Sequence, residues 1–387
     1  MEIIKKEKLI EICRDLIKIQ TVNPPGNEQK LVDYCQDFLK QTGAELEVIH
    51  HSPTRSSLIA KWKGRTEGKQ FLFVGHADTV PPGNIEKWTY NPFEGVVKDG
   101  KIFGRGASDM KSGIATLLLV LMNLKKKQPE NTIIFALTAD EESGGLGARS
   151  LLNKADILKP DFIMIPEPTD NQISIAEKGV LWLRLITYGK IAHASMPDMG
   201  VNAIEKMIKG LNTIDLNQFQ TETHDLLGTF TAAITTFKSG IKVNIIPDQC
   251  ELQMDIRTLP AQDQQEIINI INNNLSQVAD IDPRFNFQME ITNQRPGIES
   301  DCDQPFVRQI IEQIREIKQN AECIGVKYFT DGAILVPYFK VPFVICGPGD
   351  PRQAHSVDEY VDINKLFISY KIYSHLLKYL AFKKHLP

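Results

Sequence analysis

The stretch Thr138-Ala139-Asp140-Glu141-Glu142-Ser143-Gly144-Gly145 sets three acids in a row directly after the apolar run Thr132 to Leu137. Adjacent like charges at the end of a buried strand are costly unless a counter-charge meets them. Other apolar runs end in the same manner. FLFVG leads into His76 and Asp78, DFIMIP ends on Glu167, and PFVICG is followed by a loop that carries His355. GRGASD brings Asp109 to the start of an expected helix. Taken singly, each has an ordinary explanation: an Asp before a helix caps it, and a Glu pair is a solvated charge run. Their recurrence at strand ends is what those explanations leave out. Imidazole and carboxylate without thiolate form the donor set of an open zinc, cobalt or manganese site.

The spacing suits two ions. A His-x-Asp on a strand places both side chains on one face, so Asp78 is expected to accept a hydrogen bond from His76 and fix its tautomer. Two ions about 3.5 Å apart need a bridging carboxylate, and Asp109 is the candidate. Glu141 and Glu142 would face opposite ways on a regular strand. Both reach one site only if the strand stops before them, and Ser143-Gly144-Gly145 is read as the breaker. One glutamate could then ligate an ion while the other takes a proton from water.

The elements that must position these groups follow from apolar periodicity. Helices are predicted over 4–20, 27–42, 111–126, 305–318 and 363–383, and strands over 46–49, 58–62, 71–74, 132–137, 161–165 and 341–346. Strands alternating with helices indicate an α/β layer on a largely parallel sheet, whose ligands lie beyond the carboxyl ends of the strands. Between these parts the order changes to strand 181–187, helix 202–211, strands 231–237 and 252–256, helix 263–275 and strand 285–291. That is the β-α-β-β-α-β order of a ferredoxin-like sandwich. The expected fold is α/β: residues 1–177 and 294–387 form one domain, interrupted by an inserted domain of 178–293.

Composition excludes several classes of partner. The 387 residues carry 48 acids against 44 Lys and Arg, a net charge of −4, so neither nucleic acid nor an anionic membrane is an expected partner. Six cysteines stand without a C-x-x-C pair, as expected of thiols in a reducing cytosol. MEIIKKEKLIEICRDLIKI mixes charges with apolar residues and lacks the apolar core of a secretion signal, and the longest apolar run is too short to span a bilayer. A cytoplasmic protein is the expectation.

GHADTVPPG, the Trp88 to Phe93 segment WTYNPF, GRGASDMKSG, TADEESGG, EPT and GPGDPRQAHSVDEYV resemble, in order along nearly the whole chain, the metallopeptidase family of acetylornithine deacetylase, succinyl-diaminopimelate desuccinylase, aminoacylase and carboxypeptidase G. GKIAHASMPDMGVNAI, VNIIPD and DIRTLP resemble that family's lid and dimerisation domain. The resemblance implies two Zn²⁺ per subunit, with Co²⁺ or Mn²⁺ as substitutes: His76 and Glu167 on one ion, Glu142 and His355 on the other, Asp109 between them. It implies that Asp78 orients His76, that Glu141 is the general acid/base, and that the peptide after Asp109 is cis. It further implies that His193 reaches across a homodimer to polarise the scissile carbonyl, and that Asn244, Arg257, Thr330 and Gly332 line the substrate, Arg257 through a carboxylate. The implied activity is hydrolysis of an N-acyl amino acid, succinyl-diaminopimelate first, with acetylornithine or a dipeptide as alternatives and a non-catalytic scaffold as a distant one. Where well-characterised desuccinylases carry Arg-Arg-Gly-Ser, this chain has Glu177-Lys178-Gly179-Val180, and the substrate choice stays open.

Overall fold

The computed structural model describes residues 2–126, 128–220, 222–384 and 386. The chain divides into two compact units. One comprises Met1–Ile175, Glu299–Gly325 and Thr330–Pro387; the other comprises Ala176–Ile298 and Val326–Phe329.

The first unit contains most of a nine-stranded sheet. Its order is Glu45–Ser52, Arg55–Trp62, Thr132–Thr138, Gln70–His76, Phe162–Ile165, Phe343–Ile345, Ile173–Glu177 and Ile298–Glu299, with Cys323–Val326 paired to Ile173–Glu177. The four strands from Thr132–Thr138 to Phe343–Ile345 run parallel. Every residue of Thr132–Thr138 is buried, which is why the run reads as apolar throughout rather than alternating. Towards the edge that begins with Glu45–Ser52 the sheet turns antiparallel. Glu45–Ser52 and Arg55–Trp62 are joined by a two-residue turn, which forces an antiparallel pair, and Arg55–Trp62 then pairs antiparallel with Thr132–Thr138. Helix Lys111–Leu121 packs against helices Glu2–Lys18 and Ile363–Phe382.

The second unit has a four-stranded antiparallel sheet ordered Thr231–Ser239, Gln249–Thr258, Gly179–Tyr188 and Asn286–Arg295. Its first and third strands in sequence are central, as the split β-α-β-β-α-β pattern requires. Leu181, Leu183 and Leu185 alternate inward and pack with Met207, Ile267 and Ile271 from the helices. Those helices, Ala203–Leu211 and Gln264–Ile281, are capped by the side chains of Asn202 and Asp263, which accept the amides of Ile204 and Gln265. The edge strand Thr231–Ser239 is exposed along almost its whole length, including Ile234 at 48% and Phe237 at 45%.

Several boundaries differ from the periodicity. The helix expected over 111–126 is α-helical to Leu121 and tightens to a 3₁₀ turn over Met122–Lys126. The helix expected over 263–275 continues to Ile281, because Leu275 and Val278 stay on its buried stripe. Helices Leu146–Leu152 and Gly332–Phe339 and strand Ile173–Glu177 were not expected. Each is too short to establish a period, and Gly332–Phe339 carries Pro337. Among the described residues no helix is long and apolar enough to cross a membrane.

Candidate metal centre

The parallel centre of the sheet delivers its chemistry to one edge. His76 closes strand Gln70–His76 and pairs in register with Thr138, beyond which come Asp140, Glu141 and Glu142. Phe162–Ile165 leads within two residues to Glu167, and Phe343–Ile345 leads to the loop carrying His355, whose φ is +63°. Asp109 stands two residues before helix Lys111–Leu121, and the Asp109–Met110 peptide is cis. Glycines allow the closest approaches. A Cβ on Gly113 would lie 2.2 Å from the Pro166 carbonyl oxygen, and one on Gly347 would lie 2.4 Å from that of Glu167.

At this edge five side chains converge into two groups sharing one member. His76, Asp109 and Glu167 form the first, and Asp109, Glu142 and His355 the second, with the ligand atoms of each group within 4.8 Å of one another. Asp109 divides its oxygens between them. Its Oδ1 lies 3.1 Å from His76 Nε2 and its Oδ2 lies 3.4 Å from His355 Nε2. His76 Nε2 is also 3.4 Å from Glu167 Oε1, and His355 Nε2 is 3.0 Å from Glu142 Oε2. Neither group takes in Glu141.

Three carboxylates this close and this dry demand positive charge. Burial opposes a charge on His76, yet Glu167 and Asp109 hold its pKa well above the ordinary imidazole value. Hydrogen bonds that His355 donates to the Asp109 and Glu142 carboxylates raise its pKa to about 11. Burial raises Glu142, reinforced by the charge of Asp109, and the same two causes push Glu167 up to about 8. Asp109 is held well below the usual carboxylate range: hydrogen bonds to His355 and His76 outweigh its burial. The cluster therefore takes protons onto its imidazoles, where divalent cations would supply the same charge. With nitrogen and oxygen donors and no thiolate, the set fits a pair of such ions.

The acidic turn departs from expectation in two respects. Asp78 does not take its hydrogen bond from His76 through its carboxylate, which lies 3.7 Å from Nδ1; the Asp78 backbone carbonyl is the partner of His76 Nδ1, at 2.9 Å. The carboxylate instead accepts the backbone amides of Glu141 at 3.0 Å and Glu142 at 3.2 Å. It is spent on the two glutamates because they pass directly in front of it. The strand break likewise comes before the glutamates, at Asp140 with φ +71°, and not at the glycines after them. Asp140 closes the turn by accepting Gly145 N on its carbonyl at 2.6 Å and Gly144 N on Oδ2 at 3.1 Å.

The remaining expected residues are distributed over both units. Thr330 is buried in the first unit, where its Oγ1 accepts the Gly332 amide at 2.9 Å as helix Gly332–Phe339 begins. The intervening Asp331 accepts from Thr138 Oγ1 at 2.5 Å, which ties this loop to the strand that ends in the acids. In the second unit, His193 is exposed in the short strand Ala192–His193, paired with Ile245–Ile246, and its Nδ1 lies 2.7 Å from Ser195 Oγ. Asn244 adjoins it, its carbonyl accepting Ala194 N at 3.0 Å. Arg257 is clasped by Asp255 through Nε and Nη2, at 2.7 and 2.9 Å, which leaves only Nη1 buried without a hydrogen-bond partner.

Sequence reading passed over several residues that hold this site. Glu359 is fully buried and accepts from Arg105 Nη1 at 2.5 Å and from the amides of Gly106, Ser108 and Asp109 at 3.1, 2.8 and 3.0 Å. It is the post to which the Asp109 loop is tied. Its one signal was its place inside the DEYV motif. Asn23 and Arg55, which brace Asp140, and Glu28, which holds Arg55, carried no signal because nothing in their local spacing marks them.

Comparison with known proteins follows the same lines. The profile of peptidase family M20/M25/M40 matches residues 72–379. The chain is 28% identical over 390 aligned positions, covering 92% of it and 93% of the relative, to a protein of Staphylococcus aureus (strain N315) named "Probable succinyl-diaminopimelate desuccinylase". It is 30% identical over 387 positions, covering 97% of each chain, to the acetylornithine deacetylase of Photorhabdus laumondii subsp. laumondii. The crystal structure of an M20 family metallo-carboxypeptidase from Sulfolobus solfataricus shares the fold, with a TM-score of 0.83 at 18% identity over 96% of this chain and 98% of that one. A metal-type donor cluster at the sheet edge, within a match spanning most of the chain, shows that this protein belongs to peptidase family M20/M25/M40 and is a hydrolase of amide bonds.

Proposed function

We propose that the protein is a two-metal N-acyl amino acid amidohydrolase, with succinyl-diaminopimelate as first substrate and acetylornithine as second. The carrying observation is Asp109, whose two oxygens serve two His–carboxylate pairs while Glu141 stands outside both. His76 and Glu167 would hold one ion, Glu142 and His355 the other, and Asp109 both; zinc is the preferred metal, with cobalt or manganese as substitutes. When bound, such ions supply Lewis acidity, acidifying water and drawing charge from a carbonyl.

The chain's own residues do the rest. Glu141 takes a proton from the attacking water, whose oxygen bonds to the acyl carbon. It then passes that proton to the departing amine nitrogen as the C–N bond breaks. His193, contributed across a homodimer, would hydrogen-bond the oxygen that gains charge. Asn244, Arg257, Thr330 and Gly332 would line the substrate, Arg257 through the nitrogen that Asp255 leaves free. We assign catalysis to residues 1–177 and 294–387 and lid and dimer contacts to 178–293. The exposed edge strand Thr231–Ser239 supports the dimer, because the outer side of an edge strand with apolar side chains is a ready pairing surface. The described cysteines are all free thiols, which suits a cytoplasmic setting.

Relatives of both activities match over nearly the full chain, and Glu177-Lys178-Gly179-Val180 in place of Arg-Arg-Gly-Ser keeps the deacetylase reading in contention. The deciding experiment is hydrolysis of N-succinyl-LL-diaminopimelate, N-acetylornithine and a set of dipeptides with added zinc or cobalt. Desuccinylation with the highest kcat/KM supports the first substrate. Preference for acetylornithine or a dipeptide replaces it, and no metal-dependent turnover on any of them overturns the amidohydrolase assignment.

A further inference from the structure

The turn that presents Glu141 and Glu142 is held from outside the metal cluster. Arg55 grips buried Glu28 through Nε–Oε2 at 3.1 Å and Nη2–Oε1 at 2.6 Å, and the same Nη2 donates to Asp140 Oδ1 at 3.0 Å. Asn23 Nδ2 donates both to that Asp140 Oδ1 and to Asp78 Oδ2, each at 2.9 Å. The backbone prepares for this arrangement. Asn23 N donates to the Thr79 carbonyl at 2.8 Å, and Gly26, at φ +84°, leaves the space that the guanidinium fills, since a Cβ there would lie 2.3 Å from Arg55 Nε. One cation thus serves two carboxylates, and one amide ties the turn to the carboxylate that receives the Glu141 and Glu142 amides.

We propose that Arg55 and Asn23 are positioning residues of the amide-cleaving site, acting through Asp140 and Asp78 to set Glu142 as ligand and Glu141 as proton carrier. The inference rests on the two-metal reading above. Its reach is asymmetric. Glu142 belongs to the Asp109–Glu142–His355 group, whereas the His76–Asp109–Glu167 group contains no residue of this turn. Loosening the turn should weaken one ion and spare the other.

Titration of the ion-free, full-length protein with Co²⁺ tests this, by calorimetry and by cobalt absorption, alongside Tm and steady-state kinetics. In Arg55→Met one Co²⁺ is expected to bind as in wild type and the second about 10–100-fold more weakly, the usual range for losing a partner that orients a ligand. kcat should fall more than KM rises. Arg55→Lys should restore part of the affinity, since it returns the charge without the two-sided grip. Asn23→Ala should weaken the same ion most, with a smaller effect on the other, because Asp78, which Asn23 also holds, carries the carbonyl that partners His76 Nδ1. This substitution leaves Arg55 on Asp140 and strands no buried charge, so it decides the matter alone if Arg55→Met does not fold. Both ions binding as in wild type overturns the proposal, as does parallel weakening of both ions in step with Tm, the mark of general destabilisation. A wild-type chain that binds no Co²⁺ overturns the functional reading and this inference together; two ions in wild type with unaltered variants overturn this inference alone.

Discussion

Glu141 and Glu142 are neighbours with different surroundings. Glu142 faces His355 and lies in a ligand group, whereas Glu141 is buried beside the cluster and belongs to neither group. Glu141→Ala is therefore expected to retain both metals by elemental analysis while kcat falls roughly 10²–10⁴-fold or more; retained activity would remove the assignment. The imidazoles make a second prediction. In the ion-free site His76 lies well above its ordinary pKa and His355 is raised to about 11, so at neutral pH both carry protons that arriving ions must displace. Protons and metal compete for one set of atoms, so apparent affinity must rise with pH and fall as pH drops. Calorimetry with Co²⁺ in buffers of different ionisation enthalpy should show net proton release, with heats that depend on the buffer. Heats that do not change with buffer would contradict the protonated imidazoles.

At the scale of elements, the site depends on how closely a helix start and strand ends can approach. Helix Lys111–Leu121 reaches the Pro166 carbonyl only because Gly113 has no side chain. Gly113→Ala would force the helix or the Pro166–Glu167 segment aside, at a cost of about 1–3 kcal/mol in urea unfolding, the range for overpacking a close-fitted site. Because Glu167 follows Pro166, the same substitution should weaken binding of the ion proposed for His76 and Glu167. Wild-type stability and wild-type affinity together would show that the approach is looser than 2.2 Å implies. Element types were legible wherever an apolar run was long, as in Thr132–Thr138 and Ile363–Phe382. The turn at Asp140 was not, because a left-handed aspartate has no periodic signature and the glycines after it drew the assignment instead.

At the scale of the whole molecule, the proposed dimer carries the prediction. If His193 completes a site across two chains, His193→Ala and Glu142→Ala should each be inactive alone and recover activity when unfolded and refolded together, since some mixed dimers then hold one intact site. No recovery would argue against a site shared between two chains. Charged substitutions at Ile234 and Phe237 on the exposed edge strand should shift the protein to monomer in sedimentation if that edge pairs.

By itself the sequence determined that strand ends carry imidazoles and carboxylates, because apolar runs and the residues that follow them are local patterns. It determined the interrupted α/β order and singled out His76, Asp109, Glu142, Glu167 and His355, all of which converge. Tertiary structure alone decided how they are held. That Asp109 turns one oxygen to each imidazole, that the Asp78 carboxylate holds the amides of the glutamates rather than His76, and that Glu359 anchors the Asp109 loop across 250 residues of chain are matters of distance between segments. The same holds for Arg55, which reaches Glu28 and Asp140 across 27 and 85 residues. A hydrogen bond depends on where two atoms finish in space, and spacing along the chain predicts that only when both partners share one helix, strand or turn.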